Sequence, residues 1–585
     1  MITVPCSLKK MIATRTRPDT SGARRRANRG AVRNNLRVIP LGGLEEVGRN
    51  MTVFEYGKDI VIVDMGLQFP EEDMPGIDYI IPNSDYLRGK EKNIRGVIIT
   101  HGHYDHIGAI PHLIPKLGNP PVFATELTRG IIMKRQEEYK NPITIKTVKK
   151  IDRLKLGIFD IEFFHVNHTI PDGVGVSIGT PVGTVIATGD FKFDHSPIGD
   201  APADIAKIAR IGSEGVLALL SDSTDSQTPG YSISESTIKK NLDEVLEHTS
   251  GRIIVATFSS LISRIQQLIQ LSEKYGRKVA IDGYSMKTNV EIARTLGYLE
   301  VRKNTLIPIN EVNDHPDSKV TIICTGAQGE DKAVLMRIVN NEHRFVKIHK
   351  NDTIVFSSSV VPGNERTVQG LKDGLYRRGA RVIHNDMLDV HAGGHARQED
   401  LKMMINLLRP KYLIPVHGHY YMRRLHGELA EQVGMSLENV FIGSNGQVIE
   451  FDYRGNGKLM DEKAPSSYVM VDGLGVGDIG QVVLRDRQVL AKDGMFTIVT
   501  IIDSKTKRVI GEPQVTSRGF IYVKENFDLV NATKKKVKDV VHNATSKDEK
   551  VNWAYVKDNI RDTVGQFLYS KTQRRPMVLP VVIEV

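Results

Sequence analysis

Six consecutive residues limit this chain more than any other feature. His101-Gly102-His103-Tyr104-Asp105-His106 place four groups able to ligate a metal directly after GVIIT at 96–100, a short apolar run that reads as a buried strand. In an extended loop alternate residues project to one side, so His101 and His103 can grip one ion. Asp105 and His106 then point elsewhere and can begin a second site. Imidazole and carboxylate donors together suit Zn2+ or Mn2+. The two cysteines, Cys6 and Cys324, exclude a thiolate zinc site and a disulfide framework, and fit a reducing, cytoplasmic setting.

Such a loop is incomplete alone and requires later strands to deliver more ligands. His168, in Val166-Asn167-His168-Thr169, is the first candidate, with His165 as the alternative. Asp190, in Thr188-Gly189-Asp190-Phe191, follows the apolar run at 183–188, and a carboxylate at a strand end can bridge two metals. His417, in Pro415-Val416-His417-Gly418-His419, follows another such run. Strands that end in Asp or His at a loop are where open α/β sheets place their chemistry.

The 585 residues predict two to four domains at ~150 residues each. From 231 to 386 buried strands alternate with helical periods, which predicts an inserted parallel-sheet α/β domain. A helix over 398–408 and a strand over 412–416 lead to the second histidine loop. The stretch 456–466, rich in Gly, Lys, Asp and Glu, reads as a linker to a small α+β domain at 467–585. There, strands are predicted at 481–484, 495–502 and 577–585, and helices at 534–542 and 551–570. No run approaches ~18 apolar residues, so no membrane span is expected. Of the net charge of +10, residues 1–35 carry +8, from nine basic groups and Asp19. Such a tail is expected to be disordered and to attract polyanions such as RNA.

The order H-x-H-x-D-H, then His168, Asp190 and a late His417, resembles the metallo-β-lactamase superfamily. The long insertion before His417 resembles its β-CASP branch, whose members act on nucleic acids. Asp222 in Ser221-Asp222-Ser223-Thr224, His395 in Gly393-Gly394-His395, and His417 match that branch's extra motifs. LGGLEEVGRN at 41–50, HTIPD at 168–172, GDFK at 189–192, HAGGHA at 391–396 and VDGLGVGD at 471–478 look like bacterial ribonuclease J. The resemblance implies an αββα metallo-β-lactamase sandwich at 36–230 and 387–455, a β-CASP domain at 231–386, and a C-terminal domain supporting dimers or tetramers.

It also implies two-metal hydrolysis of RNA, 5′→3′ from a monophosphorylated end with internal cutting besides. One metal would be held by His101, His103 and His168, the other by Asp105, His106 and His417, with Asp190 between them; Zn2+ is expected first, Mn2+ or Mg2+ otherwise. His395 would act on the leaving oxygen and Asp222 would orient it. Ser259, Ser260 and the loop His391, Ala392, Gly393, Gly394, His395 would hold a substrate phosphate. Position 393 is Gly where the family's loop usually has Ser, and 261 is Leu where a polar residue is more usual. RNA and other RNA-decay proteins are the expected partners, without a membrane. A hydrolase of a small ester, thioester or lactam on the same fold is the alternative, though it would not need the insertion. A non-enzymatic RNA-binding scaffold would be favoured by a missing ligand, and all seven are present.

Overall fold

Alternation of apolar residues on both sides of single strands builds the layers. In the strand Leu36–Gly42, Leu36 and Val38 enter one core, while Ile39 and Leu41 enter another. A strand apolar on both faces must be covered twice. The computed structural model describes residues 34–585 except 72, 140, 331, 362 and 546–550; the basic tail therefore lies outside the described residues.

Leu36–Gly42 lies in an eight-stranded mixed sheet with, in order, Gly457–Lys463 and Gln447–Phe451 on one side and Met51–Tyr56, Asp59–Val63, Ile94–Ile98, Val122–Ala124 and Ile145–Thr147 on the other. A six-stranded sheet runs Tyr412–Val416, Ala218–Asp222, Thr184–Ala187, Val174–Gly179, Phe159–His165, Arg153–Leu156. The two sheets share one core: Val38, Phe54, Val61 and Ile98 from the first meet Phe163, Val176, Val185 and Leu220 from the second. Helices cover the outer faces, including Ile110–Lys116 and Glu126–Gln136 on one side and Ile205–Glu214 and Gln398–Leu408 on the other. This is the αββα sandwich.

The chain leaves the six-stranded sheet after Ala218–Asp222 and re-enters it in its parallel neighbour Tyr412–Val416. Between them lies a six-stranded sheet, all of whose pairs are parallel. Its central strand Ile253–Thr257 is buried throughout, Ile253 and Val255 on one face and Ile254 and Ala256 on the other. A buried ionic network ties this insertion to the sandwich. Glu235 accepts from Arg264 at 2.8 Å and from Gln267 at 2.9 Å, and lies 3.7 Å from the Lys192 ammonium. Arg264 also donates to the Val390 carbonyl at 2.7 Å, at the start of the HAGGHA loop.

The last part combines a three-stranded sheet, Gln514–Arg518, Met495–Ile502 and Met577–Glu584, with the helices Phe527–Thr545 and Trp553–Thr572. One sheet face packs on these helices through Phe496, Ile498 and Val578; the other leaves Ile501, Leu579, Val581 and Ile583 exposed. Among the described residues no helix is long and apolar enough to cross a membrane.

Two expectations are corrected. The stretch 456–466 is not a free linker, because Gly457–Lys463 pairs antiparallel with Gln447–Phe451 as an edge strand. Next to it, Val469–Asp472 pairs with Tyr79–Ile81 of the sandwich. Residues 481–484 are not a strand but the start of the helix Gln481–Asp493. Val482 and Val483 suggested a strand, yet both lie exposed on the helix, and Leu484 alone is buried. The helix formers that follow, Leu490, Ala491 and Lys492 among them, outweigh two β-branched residues.

Candidate metal centre

The site forms because parallel strands end at one edge. Asp59–Val63 and Ile94–Ile98 are parallel neighbours in the first sheet, as are Thr184–Ala187, Ala218–Asp222 and Tyr412–Val416 in the second. At or just beyond their carboxyl ends lie Asp64, the 101–106 loop, Asp190, Asp222 and His417. Asp64 and His417 take positive φ, 61° and 50°, which turns each sharply off its strand.

Two groups of ligand atoms share one carboxylate. His103 Nδ1 stands 3.1 Å from Nε2 of His101 and 3.1 Å from Nε2 of His168. Asp190 Oδ2 is 3.7 and 3.8 Å from those two Nε2 atoms. On its other side Asp190 Oδ1 is 3.2 Å from His106 Nε2 and 2.9 Å from His417 Nδ1. Asp105 Oδ2 completes the second group, 3.6 Å from His106 Nε2 and 3.4 Å from His417 Nε2.

The donor set fits two divalent cations. Three imidazole nitrogens face one another within 3.1 Å contacts, an arrangement that wants a cation between them. His417 Nε2 is buried and without a hydrogen-bond partner. Burial pushes His103 down to about 4 and His168 to about 3, and His101 well down also, so all three are neutral with lone pairs free at neutral pH. Burial acts the same way on His106 and His417, but the carboxylates around them, Asp190 foremost, together outweigh it and hold both well above the usual value.

The opposite ring nitrogens are held by the protein. His168 Nδ1 donates to the Gly394 carbonyl at 2.7 Å, His106 Nδ1 meets Asp64 Oδ2 at 2.7 Å, and His101 Nδ1 meets Thr100 Oγ1 at 3.1 Å. Such partners fix ring orientation and raise ligand basicity. Asp64 and Asn50, whose Nδ2 lies 3.1 Å from His106 Nε2, were not among the site residues read from sequence. Asp64 carries a signal, since it ends the run IVIV at 60–63 as Asp222 ends ALLS; Asn50 closes the LGGLEEVGRN motif, which marks the family but not this contact.

His395 and Asp222 stand beside this centre. His395 Nδ1 is 2.8 Å from Asp222 Oδ2 and 3.9 Å from Asp190 Oδ2. Asp222 Oδ1 accepts from Thr224 Oγ1 at 2.7 Å. Burial lowers the His395 pKa, but Asp222 outweighs that and raises it above the ordinary value. His165 lies elsewhere, with its ring nitrogens near the Gly173 and Ala201 carbonyls.

The insertion supplies the far wall. Ser260 Oγ is 3.1 Å from His103 Nε2, so the 259–260 turn touches the ligand group directly. Ser259 engages Asn289 through its carbonyl. In the HAGGHA loop, His391 is buried and pushed down to about 3 by burial and Arg264, so it brings no charge. Neither Gly393 nor Gly394 has positive φ, so their amides do not form the alternating anion nest that two glycines suggest. The amides of Gly393, Gly394 and His395 nevertheless find no acceptor among the described residues. A Cβ at Gly394 would fall 2.5 Å from the His168 ring, whereas one at Gly393 meets nothing within 4 Å.

Four family models match the chain in succession. They describe the metallo-beta-lactamase superfamily over 44–238, the ribonuclease J beta-CASP domain over 250–375, the Zn-dependent metallo-hydrolase RNA specificity domain over 381–442 and the ribonuclease J C-terminal domain over 482–585. Ribonuclease J2 of Bacillus subtilis is 40% identical over 553 residues, covering 94% of this chain and 99% of that protein. The chain belongs to the ribonuclease J family. Ribonuclease J 2 of Staphylococcus aureus is 37% identical over the same length, with 98% of that protein covered. A crystal structure of a protein of unknown function from Enterococcus faecalis shares the fold, with TM-score 0.50 and 15% identity over 71% of this chain and all of that one. Family membership makes the chain a nuclease-type hydrolase of the metallo-β-lactamase fold, with a site able to bind metal ions.

Proposed function

We propose that this member of the ribonuclease J family hydrolyses RNA phosphodiester bonds, trimming 5′→3′ from a monophosphorylated end and also cutting internally. The observation that carries the reading is the shared carboxylate of Asp190, flanked by two ligand groups and faced by His395. His101, His103 and His168 would hold one ion and Asp105, His106 and His417 the other, Zn2+ foremost with Mn2+ or Mg2+ as substitutes. Bound there, the ions supply Lewis acidity and lower the pKa of water.

The protein's own groups do the rest. With Nδ1 held by Asp222, His395 has Nε2 left for the reaction and, being protonated more readily than a free imidazole, donates a proton to the leaving oxygen. Thr224 fixes the Asp222 carboxylate that orients it. The unpaired amides of 393–395 and the hydroxyls of Ser259 and Ser260 receive the 5′-phosphate, a compact donor set that suits one phosphate rather than three. Gly393 offers no hydroxyl, so Gly393→Ser, which the open space there accommodates, sharpens the discrimination. The exposed sheet face of the last domain joins copies of the chain into a dimer or tetramer. The setting is cytoplasmic, among other proteins of RNA decay.

The test is decay of 5′-labelled RNA bearing one, three or no terminal phosphates, with and without chelator. Chelator-sensitive release of mononucleotides, fastest from monophosphate ends, is expected. Equal rates for all three ends reject the phosphate pocket, and intact RNA rejects the activity.

A further inference from the structure

Tyr104 sits between the ligands His103 and Asp105, yet the residue is 40% exposed. The Arg135 guanidinium lies 4.8 Å from the centre of that ring and 5.7 Å from the centre of Tyr79's. Arg135 comes from the helix Glu126–Gln136, which is seated against the metal loop: a Cβ at Gly102 would meet Ile131 Cδ1 at 2.9 Å. Among the described residues the Arg135 side chain has no ion pair and no hydrogen bond, and its Nε is buried and unpartnered. The groups beside it, the Tyr79 ring with its partners His112 and Tyr139, offer no carboxylate. Tyr79 Oη is 2.8 Å from His112 Nε2 and 3.2 Å from Tyr139 Oη, and burial raises the Tyr79 phenol's pKa. Burial, Arg135 and Lys116 hold His112 near 4, so it is neutral.

A half-buried guanidinium is ordinarily matched by a carboxylate. Here the matching anion must come from outside the described chain, and it would arrive beside an exposed aromatic face one residue from two metal ligands. A phosphate for the cation and a flat base for the ring is the combination a single-stranded nucleic acid carries. We propose that Arg135 and Tyr104 form a nucleotide subsite, with Arg135 holding a backbone phosphate and Tyr104 stacking an unpaired base of the strand that passes the metal centre. The subsite rests on RNA being the substrate. It is separate from the terminal-phosphate pocket at 259–260 and 391–395, and it reads shape and charge rather than the state of the 5′ end.

The test is steady-state cleavage of an unstructured RNA by the full, metal-loaded chain, from about 50 to about 200 mM salt. Tyr104→Leu should raise KM by ~5–100-fold, with Tyr104→Trp close to wild type. Arg135→Gln should raise KM and lower the log–log salt slope by roughly 0.7, the share of one phosphate contact, while Arg135→Lys keeps the slope. In all four variants kcat should stay within ~3-fold and bound metal should be unchanged. Unaltered KM and slope in both Tyr104→Leu and Arg135→Gln overturn the subsite. So does a fall in bound metal or in kcat alone, which would mean the pair only braces the ligand loop. A wild-type chain that leaves RNA intact overturns the RNA reading itself, and the subsite with it.

Discussion

His395 Nδ1 and Asp222 Oδ2 are 2.8 Å apart, and the pair bridges the HAGGHA loop to the strand end where the insertion departs. The contact both aims the imidazole and favours its protonated form. His395→Ala is expected to lower kcat by ~10²–10⁴-fold while leaving RNA affinity and metal content nearly unchanged. A parallel fall in bound metal would make His395 a ligand instead.

The same pair sets a pH limit. Asp222 raises the His395 pKa, and a general acid is lost as pH rises through that pKa. Asp222→Asn should therefore move the alkaline limb of the kcat–pH profile to lower pH. A limb that stays in place would assign the titration to another group.

The ligand groups should be essential to turnover and dispensable for folding. Asp105→Asn and His101→Ala are each expected to lose at least ~10²-fold in rate. Thermal melting should persist, because the shared core from Val38 to Leu220 is apolar and closed without the ligands. Asp64→Asn, which weakens the brace on His106, should reduce metal affinity by ~10–100-fold. Metal analysis after dialysis checks all three.

Glu235 carries stability. Burial alone would raise its pKa, but Arg264 and Lys192 outweigh it and hold the carboxyl near 2. Its contribution is complete above the ordinary value of ~4.5 and disappears as pH falls towards 2. Glu235→Gln leaves buried Arg264 without a carboxylate, while Lys192 keeps Asp194 at 3.8 Å, and should cost about 3–5 kcal/mol in urea unfolding at pH 7. A smaller loss would mean that water or other carbonyls satisfy Arg264.

Assembly should depend on the outer face of the last sheet. Val581→Lys places a charge among Ile501, Leu579 and Ile583 and should yield a smaller species by light scattering, with metals retained. Removing residues after Asp493 should do the same. That cut spares the contact of Leu484 with Ile80 and Met470, which a cut near 465 would destroy. An unchanged mass in both proteins would reject this face as the interface.

Much of this was legible because the chemistry is written locally. The loop 101–106 holds four ligand types in six residues, and the helix Gln398–Leu408 and strands Tyr412–Val416 and Met495–Ile502 follow plain apolar periods. Asp64 and Asn50 escaped because their partner His106 is 42 and 56 residues away. Gly457–Lys463 escaped because an edge strand held by backbone pairing needs little apolar sequence, and its side chains are largely exposed. The helix Gln481–Asp493 was hidden by two valines that face outward.

The inserted sheet is drawn from one continuous stretch between Ile253 and Ile383, whereas the sandwich around it needs strands from both flanks, the last of them Gly457–Lys463. During synthesis the insertion can therefore fold on the ribosome while the enclosing domain still lacks its late strands. His395 and His417 emerge after the whole insertion. The metal centre therefore closes only after the insertion has been made, and its two late histidines arrive together with the strand Tyr412–Val416 that completes their sheet.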